Sequence, residues 1–421
     1  MDQFLLLKDR KKDMDKCVLC GGCHSGCPTY DLSRYEHDSA RGKVLLARAL
    51  LDGEIKPDMN LYEKFDHCLT CMSCAQACPA GADPVNVIIA ARSEIYERTA
   101  QNKISRLVYE KILPEKQAFS TFAACMSLAL KIYAYLPPVK LPFARGGVKR
   151  KLPDFSVKGI RGSYPEIIKA EGAKTPILRV AYFAGCMTDR AFHDTFQAVV
   201  DVLSSAGVEV VLPKDEICCG APAFFAGDRK SAVLMAKKNV KTFSLNDIDY
   251  IVTSCATCGS MLKDFYTEIL GDSYEVRKFT SRVIDFQQIV SERIWDRLVF
   301  KKIGEKPLLK VTYHDPCHLS RGMKITDPPR DILKRHPCVE YVEMDSASNC
   351  CGGAGSFALK YYDDALEIGQ SKADSIIKTG AEVVATACPS CRMQLADALN
   401  RAGCSADVTH TAVILRWRLD R

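Results

Sequence analysis

Hydrophobic positions in the first hundred residues recur at helical spacing, whereas those after residue 176 fall into short runs between helical stretches. Residues 39–51 follow Ser39 with apolar positions three and four apart and end before Gly53, which predicts a capped helix. Residues 84–100 open on Pro84 and predict a second helix. Residues 118–135 (AFSTFAACMSLALKIYAY) are apolar, interrupted by Lys131 and stopped by Pro137-Pro138. Such a run is short and broken for a membrane span. The expectation is a helix packed on its own domain or on a partner subunit. The alternative is an interfacial helix anchored by the basic segment that follows. Residues 137–153, with Gly146-Gly147, read as a linker.

From residue 176 strands and helices alternate. Strand-like runs at 177–184, 208–212 and 250–253 enclose helical stretches at 190–206 and 228–245. A second pass follows, with strands at 308–313, 339–342 and 383–387 and a helix at 357–379. This predicts a Rossmann-like α/β fold with a parallel sheet, built twice. The expected boundaries are a helical domain over 1–100, a connector over 101–175, and α/β domains over 176–300 and 301–421.

The composition is that of an ordinary globular protein, 47% hydrophobic and 26% charged. A net charge of +7 spread over 421 residues implies no nucleic-acid partner. Its visible local excess is Lys140, Arg145, Lys149, Arg150 and Lys151, which read as a solvated linker, or as a docking surface for a partner or anionic lipid. Cysteine is the exception, with 21 residues. The opening residues have no basic n-region, and their apolar run spans only four positions, Phe4 to Leu7. A long chain with its cysteines in CxxC-type runs indicates metal-bound thiolates in a reducing cytoplasm.

Cys17-x-x-Cys20-x-x-Cys23-x-x-x-Cys27-Pro28 recurs as Cys68-x-x-Cys71-x-x-Cys74-x-x-x-Cys78-Pro79. This is the spacing of the bacterial ferredoxin run for [4Fe–4S] cubanes, in which the fourth cysteine serves the other cluster. By that rule Cys17, Cys20, Cys23 and Cys78 hold one cubane, and Cys68, Cys71, Cys74 and Cys27 hold the second. Structural zinc is the competing use, but it needs four ligands in C-x₂₋₄-C pairs, which two such runs fit poorly.

A different frame occupies the α/β region. Cys186, Cys218-Cys219, Cys255 and Cys258 are matched by Cys317, Cys350-Cys351, Cys388 and Cys391. The equivalent pairs 186/317, 218/350 and 255/388 are 131, 132 and 133 residues apart, so one frame was duplicated almost without insertion. A disulfide between adjacent cysteines is badly strained. Two neighbouring thiolates can instead bind different irons of one cluster, and the glycine after each pair lets the backbone come close to a bulky group. Each cysteine group follows a strand, and the carboxyl ends of parallel strands form the ligand crevice.

These two frames resemble the cysteine-rich CCG domains of heterodisulfide reductase. A two-cubane domain fused to two CCG domains resembles the iron–sulfur subunits of glycolate oxidase, D-lactate dehydrogenase and anaerobic glycerol-3-phosphate dehydrogenase, and also the heterodisulfide reductase D subunit. The helix between the ferredoxin runs is similar to the helical ferredoxin module of succinate dehydrogenase iron–sulfur subunits. Cys27-Pro28-Thr29-Tyr30, Ser39-Ala40-Arg41-Gly42-Lys43, Cys68-Leu69-Thr70-Cys71 and Cys350-Cys351-Gly352-Gly353-Ala354-Gly355-Ser356-Phe357 favour the glycolate or lactate branch. The resemblance implies one or two non-cubane [4Fe–4S] clusters in the CCG domains besides the two cubanes. It also implies a FAD-containing partner that oxidises a 2-hydroxy acid, with electrons leaving to a quinone, a membrane cytochrome or another carrier. Contact with the membrane would be peripheral. Both five-cysteine sets are complete, which keeps open the alternative of a heterodisulfide reductase-type subunit that reduces a disulfide.

The copies differ beside their first cysteine. Tyr313-His314-Asp315-Pro316-Cys317-His318 stands where the first copy has Tyr182-Phe183-Ala184-Gly185-Cys186-Met187. His314 and His318 are therefore candidate proton relays or hydrogen-bond donors to a cluster. The plainer reading makes them strand-end or helix-start histidines, with Asp315 as a helix N-cap. Cys125, Cys338 and Cys404 lie outside every frame and read as buried apolar fillers. No glycine-rich dinucleotide fingerprint and no nucleophile–His–Asp set stands out, so any organic substrate is expected to react on another polypeptide.

Overall fold

The structure is a computed structural model that describes residues 6–99, 103–137, 144–145, 148–172, 175–245, 247–301, 307–417 and 419. Helix α1 (Ala40–Leu51) starts where Ser39 Oγ accepts a hydrogen bond from the Gly42 amide at 3.0 Å. Helix α2 (Pro84–Arg98) is capped by Asp83, whose carboxylate accepts from the Val85 and Asn86 amides. Both caps agree with the signals in the sequence. One face of α2 buries Val87, Ile88, Ala91 and Ile95 with Val44 and Ala47 of α1. Its other face carries Val85 and Ile89 into a core shared with Ala223 and Phe224, beyond the helical domain. That is why α2 is apolar nearly all round.

Helix α3 (Lys116–Tyr135) crosses the connector. Only Ala123 and Ser127 are fully buried along it, while Leu128, Ile132 and Tyr135 stand 62%, 53% and 91% exposed. Among the described residues it alone is long and apolar enough to cross a membrane, by length and composition. The expected packed helix is thus packed along one face only.

The basic cluster is not a solvated linker. Lys149 Nζ donates to the Tyr133 and Ala134 carbonyls at 3.2 and 2.7 Å, satisfying orphan acceptors at the end of α3. The Arg150 guanidinium donates to the Ala358 carbonyl at 2.7 Å, and Arg145 pairs with Asp363. Within the linker read at 137–153, Ala144–Arg145 pairs antiparallel with Val148–Lys149. Lys140 and the Gly146-Gly147 pair lie outside the described residues.

The α/β region holds two sheets. The first contains β1 (Ile167–Ile168), β2 (Leu178–Phe183), β3 (Val208–Val211), β4 (Tyr250–Thr253) and β5 (Val283–Asp285), in the order β1-β3-β2-β4-β5. All neighbours are parallel except β1, which runs antiparallel to β3. The second contains β6 (Leu309–Tyr313), β7 (Val339–Tyr341), β8 (Val383–Thr386) and β9 (Asp407–His410), all parallel, in the order β9-β8-β6-β7. Apart from the edge strand β1, the two orders are the same path. Helices α4 (His193–Ser205) and α5 (Arg229–Thr242) flank the first sheet, and α6 (Tyr362–Thr379), α7 (Pro389–Arg401) and α8 (Thr411–Arg416) the second. Strands β1, β5 and β9 are not among the strands read in the sequence; they lie at the edges of the two sheets and have two to four residues.

The two units pack closely. Ala412 and Leu415 of α8 join the core built by Val199, Val202 and Leu203 of α4. At the centre of the interface the Ala256 amide donates to the Ala387 carbonyl at 2.9 Å, which sets the two CxxC turns against each other.

The glycine after each cysteine pair has a positive φ, +89° at Gly220 and +81° at Gly352. A Cβ at Gly352 would stand 2.8 Å from the Ala365 carbonyl oxygen, a contact that only backbone movement relieves. The substitution G352A is therefore expected to destabilise the second unit by at least about 1 kcal/mol. A urea titration followed by circular dichroism checks this, and an unchanged midpoint would refute the steric account.

Candidate metal centres

The two ferredoxin loops are bent the same way. Leu19 and Thr70 occupy the left-handed region at φ 57° and 49°, and the next such pair, Gly21 and Met72, at 78° and 64°. Left-handed backbone at non-glycine residues is costly and concentrates at functional sites. Here it curls amides toward the sulfurs: the Gly22 amide donates to Cys20 Sγ at 3.5 Å and the Thr70 amide to Cys68 Sγ at 3.4 Å. Cys17, Cys20, Cys23 and Cys78 line one small cavity. Cys27, Cys68, Cys71 and Cys74 line a second. Each cavity thus takes three cysteines from one run and the fourth from the other.

Buried and bridging cations hold these loops. Arg41 donates to the Leu19 carbonyl at 3.0 Å and forks onto Glu36, whose carboxylate it holds near a pKa of about 2. Lys43, 1% exposed, donates to the His37 carbonyl at 2.8 Å and lies 3.7 Å from Asp38. Burial pushes its ammonium down, while the Cys68 and Cys27 thiolates and Asp38 push it back up. Arg92 was missed altogether. It donates to the Phe65, Asp66 and Cys68 carbonyls and, across the domain boundary, to the Phe225 carbonyl at 2.6 Å. An arginine directly after the apolar run 87–91 is the one signal along the chain that could have found it.

In the first α/β unit the five thiols form one chain of contacts, Cys186 to Cys218 to Cys219 to Cys258 to Cys255. In the second, Cys350 meets Cys317, and Cys351 meets Cys391, which meets Cys388. The neighbouring thiols Cys350 and Cys351 face different partners, whereas Cys218 and Cys219 also meet each other. All 21 cysteines are free of disulfides. Hydrogen bonds from neighbouring thiols hold some sulfurs down: Cys219, facing Cys218 and Cys258, at about 6, and Cys388, facing Cys255 and Cys391, well below the usual range. Cys391 and Cys350 are driven up by the thiols that face them and by burial. Crowded, buried thiols of this kind shed protons readily only to a metal.

The sets also touch one another. Cys255 of the first unit hydrogen-bonds with Cys388 of the second. Cys71 of the second ferredoxin loop hydrogen-bonds with Cys350. Arg321 fastens that contact, donating to the Cys71 carbonyl at 3.1 Å and the Ser348 carbonyl at 2.8 Å. Opposite it, His67 bridges Asp38 and Asp364 at 2.7 and 2.8 Å.

Of the histidines singled out in the sequence, His318 is buried, with Nδ1 3.6 Å from Cys317 Sγ and its ring 5.2 Å from Phe225. Burial holds its pKa down. His314 is buried beside Cys351 and contributes to keeping that thiol low, after Cys391. Asp315 is not a helix cap; Arg330 clamps its two oxygens at 2.9 and 2.8 Å. Of the three cysteines outside the frames, Cys338 is buried, Cys404 is half-buried, and Cys125 is exposed on α3, contrary to expectation.

A model of the cysteine-rich CCG domain matches residues 180–263 and 311–396, and a 4Fe-4S dicluster domain model matches residues 13–82. Lactate utilization protein A of an Exiguobacterium strain is 32% identical over 238 residues, covering 56% of this chain and 96% of that protein. The probable glycolate oxidase iron-sulfur subunit of Bacillus subtilis is 28% identical over 420 residues, 95% of this chain and 92% of that one. The chain belongs to this family of iron–sulfur subunits. The family extends to the dihydromethanophenazine:CoB–CoM heterodisulfide reductase of Methanosarcina acetivorans, whose D subunit is 28% identical over 96% of this chain and 93% of its own length. Among solved structures, a hypothetical protein from Helicobacter pylori aligns over 98% of this chain and 73% of its own at a TM-score of 0.51 and 10% identity, a likeness of fold. The chain is therefore an iron–sulfur subunit of an oxidoreductase, with a ferredoxin-type domain followed by two CCG domains of parallel α/β build.

Proposed function

We propose that the chain carries single electrons from a FAD-containing partner, on which a 2-hydroxy acid such as glycolate or lactate is oxidised, to a quinone or another carrier at the membrane. The observation that carries this reading is that thiols of separate frames meet: Cys71 of the second ferredoxin loop meets Cys350 of one CCG set, and Cys388 of that set meets Cys255 of the other. Cys17, Cys20, Cys23 and Cys78 would hold one cubane, and Cys27, Cys68, Cys71 and Cys74 the second. Cys186, Cys218, Cys219, Cys255 and Cys258 would hold a non-cubane cluster, and Cys317, Cys350, Cys351, Cys388 and Cys391 another. The residues fit such groups: thiols converge in buried sets, and loop amides turn toward sulfur. Bound there, iron–sulfur clusters supply one-electron storage and transfer.

The chain's own residues do the rest. Arg92 and Arg321 lock the ferredoxin loops onto the CCG units, so the spacing between centres stays short. Close-packed aromatic and aliphatic side chains such as Phe224, Phe265 and Met261 exclude water from the first set. The relatives named for glycolate oxidase and lactate utilization support the 2-hydroxy acid. In this reading the protein works in the cytoplasm, peripheral to the membrane, with the exposed stripe Leu128, Ile132 and Tyr135 as its contact surface.

Anaerobic affinity purification from the native host tests the proposal. A flavoprotein is expected to copurify, and adding glycolate or D-lactate is expected to bleach the iron–sulfur absorption. Reduction by neither acid in a flavin-containing complex would overturn it. The contact between the two complete CCG sets favours a second reading, in which a disulfide meets both sets and takes two electrons and two protons to give two thiols. A thiol disulfide that generates a new paramagnetic species in the oxidised protein would select that reading.

A further inference from the structure

The two CCG sets place their cysteines at matching positions, and one difference beside them singles out the second. Tyr182 and Tyr313 are equivalent, both fully buried at the ends of β2 and β6. The next residue is Phe183 in the first unit and His314 in the second. Phe183 fills apolar core, its ring 5.4 Å from that of Phe243. His314 is 1% exposed, and its ring nitrogens find no oxygen or nitrogen partner; the one side chain that bonds it is the Cys351 thiol.

Buried polar atoms are almost always paired, so an imidazole whose one partner is a thiol calls for an explanation. Its buried neighbours in the same unit are not in that position. His318 uses Nδ1 at Cys317, His336 Nδ1 accepts from the Cys338 amide at 3.2 Å, and His410 Nδ1 accepts from the Ala412 amide at 3.0 Å. What His314 does meet is sulfur: one ligand atom each from His314, Cys351 and Cys391 lie within 4.8 Å of one another, all three residues buried. Metal–nitrogen and metal–sulfur bonds of about 2.0 and 2.3 Å would draw such donors together with small movements. Imidazole is a good ligand for iron. The backbone that presents it is fixed, since the His314 amide donates to the Ala385 carbonyl at 3.0 Å and Arg330 clamps the next residue. Asp315 is thereby excluded as its partner.

We propose that His314 is a nitrogen ligand to iron in the second CCG centre, beside Cys351 and Cys391, whereas the first centre is ligated by sulfur alone. This rests on the iron–sulfur reading of the CCG sets. It makes the two duplicated centres chemically unequal, with a mixed nitrogen–sulfur environment in the second that the Phe183 position denies to the first.

The test uses the full-length protein purified anaerobically, with histidine at natural abundance or labelled with 15N. Pulsed EPR across a redox titration is expected to show a strong coupling from directly bound histidine nitrogen, switching from 14N to 15N on labelling. The coupling disappears in H314F, which copies the first unit, and in H314Q, and survives in H318Q. Mössbauer spectra of 57Fe protein read the same ligand without needing a paramagnetic state, as one iron subsite that changes in H314F and H314Q. Intact iron–sulfur spectra with no histidine coupling and no altered subsite would overturn the ligand while leaving the iron–sulfur reading in place. A protein without iron in the CCG sets would overturn that reading, and the ligand with it.

Discussion

Replacing Cys78 with alanine is expected to release the first ferredoxin loop, not its own. In C78A, alkylation by iodoacetamide followed by peptide mass spectrometry should label Cys17, Cys20 and Cys23, while Cys68, Cys71 and Cys74 stay protected. Iron content should fall by one cubane, and C27A should give the reverse labelling. The expectation follows from the way the loops interleave. Cys78 closes the cavity lined by Cys17, Cys20 and Cys23, and Cys27 that lined by Cys68, Cys71 and Cys74. The charges agree: the thiols felt by Cys74 are first Cys68, Cys71 and Cys27. A cubane left with three thiolates loses a ligand that its surroundings cannot replace, because the next cysteine along the chain is Cys125. Labelling of Cys68, Cys71 and Cys74 in C78A would mean that each run holds its own cluster.

The second large effect is expected at Lys372, on α6. Its ammonium, 3% exposed, donates to the Ser346 and Ala347 carbonyls at 2.5 and 3.2 Å, in the loop that leads into Cys350-Cys351. Burial pushes its pKa down to about 8, and the Cys351 and Cys350 thiolates work in the opposite direction. The equivalent residue in the first unit is Asn239, uncharged, which donates to the Cys218 carbonyl at 2.9 Å. The variant K372M keeps the length of the side chain and removes the charge. It removes two charge-assisted hydrogen bonds, leaving the carbonyls only the Asn349 and Asp315 amides, so a stability loss of about 2 kcal/mol is expected in a urea titration of the iron-loaded protein. The charge has a separate readout. Adding an electron to a buried centre adds negative charge, which a nearby ammonium stabilises in a medium of low effective dielectric. In K372M the midpoint potential of the second CCG centre should therefore fall, and that of the first should not. A stability loss with both potentials unchanged would make Lys372 a purely structural residue.

The unequal surroundings of the two sets bear on how such a chain could work. An imidazole and an ammonium lie beside the second set, where the first has a phenyl ring and an amide. The second set is also the one whose thiol meets the ferredoxin loop. Electrons entering from the cubanes would reach it first.

By itself the sequence determined the cysteine frames, the duplication, and the elements that carry the cysteines. Those features are local: a CxxC spacing, a capped amphipathic helix and a cysteine after a strand depend on residues within a few turns of one another. Ser39 and Asp83 cap the helices as their positions indicate, and the cysteine groups follow β2, β4, β6 and β8. The tertiary structure alone decided which thiols of distant segments meet, as Cys71 does with Cys350 and Cys255 with Cys388. It also decided that the basic residues near 150 turn inward, that α3 leaves a stripe uncovered, and that Cys125 lies on the surface. No periodicity carries that information, because a lysine that caps a helix and one that faces water look the same along the chain. His314 stands between the two cases. Its difference from Phe183 was legible in the aligned copies, but that its ring meets two thiols and no oxygen or nitrogen partner is a property of the packed core.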